Sequence, residues 1–175
     1  MAGTLQQTRH SSTQELMKPY YRDCTINDAL IVAKNLLPED RREMEGLGYN
    51  PLILPVLISD SDTAQCFFNE DGEIAGLGGI RPDHRPHVGQ AYMLATPAIK
   101  KHPREFIRRA TEWLSEQRKY RLLWNIACAE NKFHHKLMRY WGFKGIQTIY
   151  PPPFYKPYIQ VVKLCVQEQM LRRPV

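Results

Sequence analysis

Between Pro103 and Cys128 the apolar period of the chain switches, and this switch limits the fold more than any other feature. From Pro103 to Lys119 the residues Phe106, Ala110, Trp113 and Leu114 recur at helical spacing and make one apolar face. From Leu122 to Cys128 apolar residues fall on both parities, as in an interior strand covered on two sides. A helix with one apolar stripe must lie against something, and an interior strand must sit within a sheet. The pair specifies an α/β domain in which this helix packs on that sheet.

The rest of the chain supplies the other elements. A strand over Tyr20 to Cys24 runs into Thr25-Ile26-Asn27-Asp28, a capping box that opens a helix to about Leu37. Pro38 begins a second helix, with Glu39 and Asp40 at its positive end and Gly46 or Gly48 at its stop. Leu52 to Ile58 reads as a third helical piece. Ala64 to Asn69 and Glu73 to Ile80 read as a hairpin turned by Glu70-Asp71-Gly72, followed by a polar loop over Pro82 to Pro86. A strand from Gly89 to Ala95 precedes the main helix. A last helix from Asn131 to Trp141 ends at Gly142, and strands follow over Lys144 to Ile149 and Tyr158 to Val166. Residues 1–18 mix Ser, Thr, Gln and charge without apolar period, which predicts a flexible arm ahead of one domain over 19–175.

Composition excludes several classes. The 175 residues suffice for one core, and the longest apolar stretch, Pro51 to Ile58, is too short to cross a bilayer, so no membrane insertion is expected. The start lacks the apolar middle of a secretory signal. Cys24, Cys66, Cys128 and Cys165 lie far apart without a C-x-x-C pair, which predicts reduced thiols, an intracellular-type protein and no metal site. The net charge of +6 permits a polyanionic partner. Its densest source is Lys100, Lys101, Arg104, Arg108, Arg109, Arg118, Lys119 and Arg121, a basic stretch over 100–121 able to meet phosphates or DNA. No aromatic interleaving favours base stacking there.

The element order, with Asn131 leading through a helix to Gly142-Phe143, resembles the GNAT acyltransferase fold, a mixed, mostly antiparallel sheet flanked by helices. A narrower likeness is to GNAT-like proteins of short-tailed phages, the internal virion protein A or internal core family. It rests on Ala75-Gly76-Leu77-Gly78-Gly79, Tyr92-Met93-Leu94-Ala95-Thr96, Leu123-Trp124-Asn125 and Asn131-Lys132-Phe133-His134. That resemblance implies a role in virion morphogenesis or in contact with phage or host proteins, in the host cytoplasm and the virion.

The GNAT resemblance also implies tests of chemistry. The family's pyrophosphate loop reads Arg or Gln, two residues, Gly, one residue, then Gly or Ala. The corresponding Thr96-Pro97-Ala98-Ile99-Lys100-Lys101-His102-Pro103 has no glycine, and its two prolines each remove a donor. If acetyl-CoA binds, the resemblance places it against Met93, Leu94, Ala95, Lys100, Lys101 and Asn131. The Tyr that many relatives carry seven residues after the Asn, as general acid, is Met138 here, and a thioether has no proton to give. The remaining catalytic candidates are Glu73 beside Asp71 at the hairpin, His84 in the loop that also holds Asp83, Arg85 and His87, and Tyr140. His134 and His135 have no partner visible in the sequence. Two main readings follow: a phage GNAT-fold protein with a degenerate acetyl-CoA site acting by interaction, or an acetyl-CoA-dependent N-acetyltransferase for a host protein or small amine. A third is a nucleic-acid adaptor using the basic helix.

Overall fold

The computed structural model describes residues 18–165. Seven strands form one sheet in the order β1-β2-β3-β4-β5-β7-β6: β1 Tyr20–Asp23, β2 Thr63–Phe68, β3 Ile74–Pro82, β4 Val88–Ala95, β5 Leu122–Cys128, β6 Lys144–Ile149 and β7 Tyr158–Leu164. The helices are α1 Ile26–Lys34, α2 Pro38–Gly46, α3 Leu54–Ser59, α4 Pro103–Ser115 and α5 Lys132–Tyr140. Every strand pair is antiparallel except β4 with β5.

Two apolar clusters sandwich the sheet. On one side Ala29, Val32 and Ala33 of α1 and Leu54 and Ile58 of α3 pack on Cys66, Phe68 and Leu77. On the other, Phe106, Ala110, Trp113 and Leu114 of α4 and Met138 of α5 pack on Phe67, Ile80 and Leu123. The predicted apolar stripe of α4 is the face it buries. Gly78 makes room for it, because a Cβ there would meet the Trp113 ring at 3.2 Å. Trp113 is 2% exposed, and its indole N–H has no acceptor among the described residues.

Four expectations are corrected. Helix α1 stops at Lys34 instead of about Leu37, because Leu37 precedes Pro38 and is held extended, its N–H bonded to Ala95 O at 2.8 Å. Helix α4 ends at Ser115 instead of Lys119: the Glu116 N–H is shared between Glu112 O and Trp113 O, which tightens the last turn. The third helical piece opens as a 3-10 turn over Pro51–Ile53 before α3. Strand β5 is buried on one face only, by Leu123, Asn125 and Ala127, while Leu122, Trp124, Ile126 and Cys128 are half-buried. The arm expected over 1–18 lies outside the described residues except for Lys18. The end of the last strand at Val166 also falls outside them.

One topological feature positions the site. Strands β4 and β5 pair only where Val88, Gly89 and Gln90 face Leu122, Leu123 and Trp124. Beyond that the two strands part, and the rest of β4 has no strand partner on its β5 side. The gap this leaves opens between α2, α4 and α5.

Candidate active site

Helix α2 supplies the polar wall of this gap. Asp40 and Glu43 are three residues apart, so their side chains share one helical face, and that face also carries Met44 into the core. The Asp40 carboxylate accepts the Ala95 N–H at 2.7 Å, while Ala95 O accepts Leu37 N–H. The free edge of β4 at Ala95 is therefore closed by the start of α2.

Helix α5 supplies the opposite wall. Asn131 caps it, accepting the His134 N–H at 3.1 Å through its side-chain oxygen. The same side chain donates from Nδ2 to Glu43 Oε2 at 2.9 Å. Nδ1 of His134 lies 3.3 Å from that oxygen. Opposite an ionised carboxylate, which only accepts, Nδ1 is the donor, and in the neutral form of the ring the lone pair is then on Nε2. Glu43 O accepts the Tyr158 hydroxyl at 2.7 Å, which fixes the helix turn that presents Glu43.

The electrostatics of this cluster are displaced from ordinary values. Burial, only partly offset by the Ala95 N–H and by His134, pushes Asp40 up to about 6. Burial opposes charge on His134, but the Glu43 hydrogen bond and the charges of Glu43 and Asp40 outweigh it, and its pKa is raised. A half-buried acid and a buried base, each displaced upward from its ordinary value within one cluster, are placed to exchange protons with a ligand.

Three cavities meet at the cluster. An apolar groove of about 380 Å³ runs between the end of β4, the start of α4 and α5, lined by Met93, Ala95, Ile99, Phe106, Phe133 and Leu137, with Asp40 and His134 on its wall. A smaller one of about 160 Å³ lies over Tyr92, Met93 and Asn125 and also touches Asp40, Glu43 and His134. A third of about 330 Å³ is lined by Glu39, Glu43, Glu45 and Glu130, with Arg42, Lys156 and Phe154.

Several sequence candidates lie elsewhere. Glu73 is on the hairpin, its carboxyl held below the usual range by Lys101, 2.8 Å away, and by Asn69. His84 is 85% exposed, with Nδ1 on Asp83, whose carboxylate also takes Arg85 and the Trp124 indole. Tyr140 is 67% exposed on the outer side of α5. None of these three lines the cleft. Lys101 is engaged with both Asp71 and Glu73, so its charge is committed, whereas Lys100 is exposed at the groove with no ion-pair partner among the described residues. Leu94 turns away from the groove toward the α1–α3 cluster, while Met93 and Ala95 line it. Met138 is 4% exposed and faces the core, so the place of the family's Tyr is a packing position here. Arg108 and Arg109 are neutralised by Glu105 and Glu112, and Lys119 by Asp62, which removes much of the field that the basic stretch suggested.

Sequence reading missed Asp40 as a cleft residue and missed Glu43 entirely. The available signal was that positions 37, 40, 44 and 47 share one helical face, so that a carboxylate stands among Leu37, Met44 and Leu47.

The groove fits the thin, largely apolar arm of an acyl-CoA. Its phosphates would be met by Lys100, Arg104 and the amides opening α4, since the Ala98, Ile99 and Lys101 N–H groups are turned back onto Thr96 and Ala98.

No family model matches the sequence, and no curated protein matches it. Solved structures do. A GNAT-family acetyltransferase from Streptococcus pneumoniae superposes with a TM-score of 0.59 at 17% identity, covering 84% of this chain and 99% of that one. Spermidine N-acetyltransferase from Vibrio cholerae, in complex with CoA and spermine, gives 0.63 at 11% identity, covering 84% and 95%. A GNAT-family acetyltransferase from Bacillus anthracis gives 0.63 at 10%, covering 85% and 96%. At these identities the likeness speaks for the fold alone, and it agrees with the mixed seven-stranded sheet: the chain has the fold of the GNAT acetyltransferases.

Proposed function

We propose that the protein is an acetyl-CoA-dependent N-acetyltransferase for a small amine, with the β4–β5 cleft as its active site. The observation that carries this reading is the buried Glu43–His134 couple, placed where the apolar groove approaches the acid-lined cavity. Acetyl-CoA, when bound, supplies an activated acetyl group as a thioester. Glu43, held by Asn131, orients the imidazole and keeps its proton on Nδ1. His134 Nε2 takes a proton from the ammonium form of the acceptor, which must be neutral to attack. As the C–N bond forms and the thioester C–S bond breaks, His134 gives that proton from Nε2 to the departing thiolate, in place of the hydroxyl that Met138 lacks, and the second proton shed by the attacking nitrogen passes to solvent.

The acid-lined cavity favours a cation, and its volume of about 330 Å³ suits a small amine better than a folded protein surface. A neighbour of the same fold, the Vibrio cholerae enzyme, is named for spermidine, which supports an amine acceptor. The virion role implied by the phage resemblance rests on that resemblance alone.

The test is calorimetric titration with acetyl-CoA and CoA, followed by mass spectrometry of a panel of mono-, di- and polyamines incubated with enzyme and acetyl-CoA. Micromolar binding with an acetylated amine, lost in His134→Ala, is the expected result. No heat up to millimolar ligand and no product would refute the reading and leave the fold as an interaction scaffold.

A further inference from the structure

Cys24 and Cys66, forty-two positions apart in the sequence, bring their sulfurs to 3.1 Å on the side of the sheet away from α4. Strand pairing accounts for it. Arg22 stands opposite Cys66, and the Cys24 N–H continues the ladder to Ala64 O at 2.9 Å, so the two cysteines are diagonal neighbours on one face. We propose that this pair is a modification site: a hydroperoxide oxidises it to a disulfide that ties the edge strand β1 to β2.

The two sulfurs are differently placed for this chemistry. Cys66 is fully buried, and its hydrogen bond with Cys24 together with burial push its thiol far up, so it stays protonated. Cys24 is half-buried and lies one residue past the end of β1, at the rim of the α1–α3 cluster, whereas Cys66 lies within it. Cys24 is therefore the sulfur that meets the oxidant. Its thiolate attacks the peroxide, taking one oxygen to become a sulfenic acid, and with one proton added the other oxygen leaves as water or alcohol. The Cys66 sulfur then attacks the sulfenic sulfur, the S–S bond forms, and the hydroxyl departs as water with the Cys66 proton. Two thiols are oxidised and one peroxide is reduced. Closing the present gap to a covalent bond of about 2 Å asks for a sulfur shift of about 1 Å.

A metal is the other use of such a pair, and Asp28 lies close enough to be a third ligand. Its carboxylate is already taken. Arg22 donates to both of its oxygens at 2.6 and 3.1 Å, and the Thr25 N–H and hydroxyl donate to Oδ2 at 2.9 and 2.6 Å. A cation there would face the Arg22 charge and undo the cap of α1. The environment suits a neutral disulfide and opposes a cation.

The test treats the full chain with hydrogen peroxide, alkylates the remaining thiols, digests it and maps peptides by mass spectrometry. A Cys24–Cys66 cross-linked peptide is expected as the dominant oxidised species, with Cys128 and Cys165 alkylated, and with selectivity lost when the oxidation is run in urea. In Cys66→Ser, Cys24 should be trapped by dimedone as its sulfenic acid, and in Cys24→Ser, Cys66 should stay unmodified. The proposal is overturned if Cys24 and Cys66 are alkylated after peroxide as fully as Cys128 and Cys165. It is overturned equally if the cross-link forms between molecules, or if zinc protects both thiols from alkylation in wild type but not in Asp28→Asn.

Discussion

Replacing Asp40 by Asn tests the electrostatics of the cleft without needing a substrate. The Asp40 carboxyl is raised from its ordinary 3.8 to about 6, chiefly by burial, so the folded protein binds its proton more tightly than the unfolded chain does. Between those two values the native state holds more protons than the unfolded state, and stability attributable to this group falls as pH rises. The gap, at about 1.4 kcal/mol per pH unit, corresponds to about 3 kcal/mol once both states are ionised. Asn keeps an oxygen for the Ala95 N–H, preserves volume and removes the charge. Urea unfolding of wild type and Asp40→Asn should therefore show the variant gaining about 2 kcal/mol on the wild type between pH ~4 and pH ~7. Taking the difference between the two proteins cancels the titration of every group that does not interact with Asp40, and leaves the Asp40 step together with the change it causes in His134. A stability difference that does not change with pH would refute the assignment of Asp40 as a half-buried acid with a raised pKa.

Three further outcomes follow from the same geometry. Glu43→Gln removes the charge that raises His134, so the imidazole titration followed by NMR should move to lower pH, and acetyl transfer should fall by about 10²-fold or more as the base loses its orientation. Lys100→Ala should weaken CoA in calorimetry by several-fold, and Lys101→Ala, whose charge is spent on Asp71 and Glu73, should leave binding near wild type. Met138→Tyr, which would restore the family's hydroxyl by sequence, should instead cost about 1–3 kcal/mol in urea unfolding without raising turnover, because the position is packed in the core.

The parts of the fold that were legible are those whose partners are local or whose period is strong. The β5 boundaries were readable from seven apolar-rich residues, α5 from its Asn131 cap and the left-handed Gly142 at its end, and α1 from the Thr25–Asp28 capping box. The cleft was not legible in the same way, because its members come from distant elements. Glu43 reaches Asn131 across 88 positions and His134 across 91, and no local pattern announces either contact. Lys101 misled for the same reason: its partners come from the hairpin about thirty residues earlier, so a charge that looked free for phosphate is not.

The departures from the family pattern in the loop after β4 are less decisive than they look in the sequence. A glycine loop serves to bring backbone amides to a pyrophosphate, yet the phosphates are only one end of the ligand, and the reaction occurs at the other. In the proposed reading the reacting end is built by α2 and α5, where Glu43 and His134 are buried and Asp40 is half-buried within one gap of the sheet. Burying ionisable groups costs stability, as the raised pKa of Asp40 shows, and a scaffold kept only for its outer surface gains nothing from that cost. The cluster therefore weighs toward chemistry in the cleft more heavily than the missing glycines weigh against it.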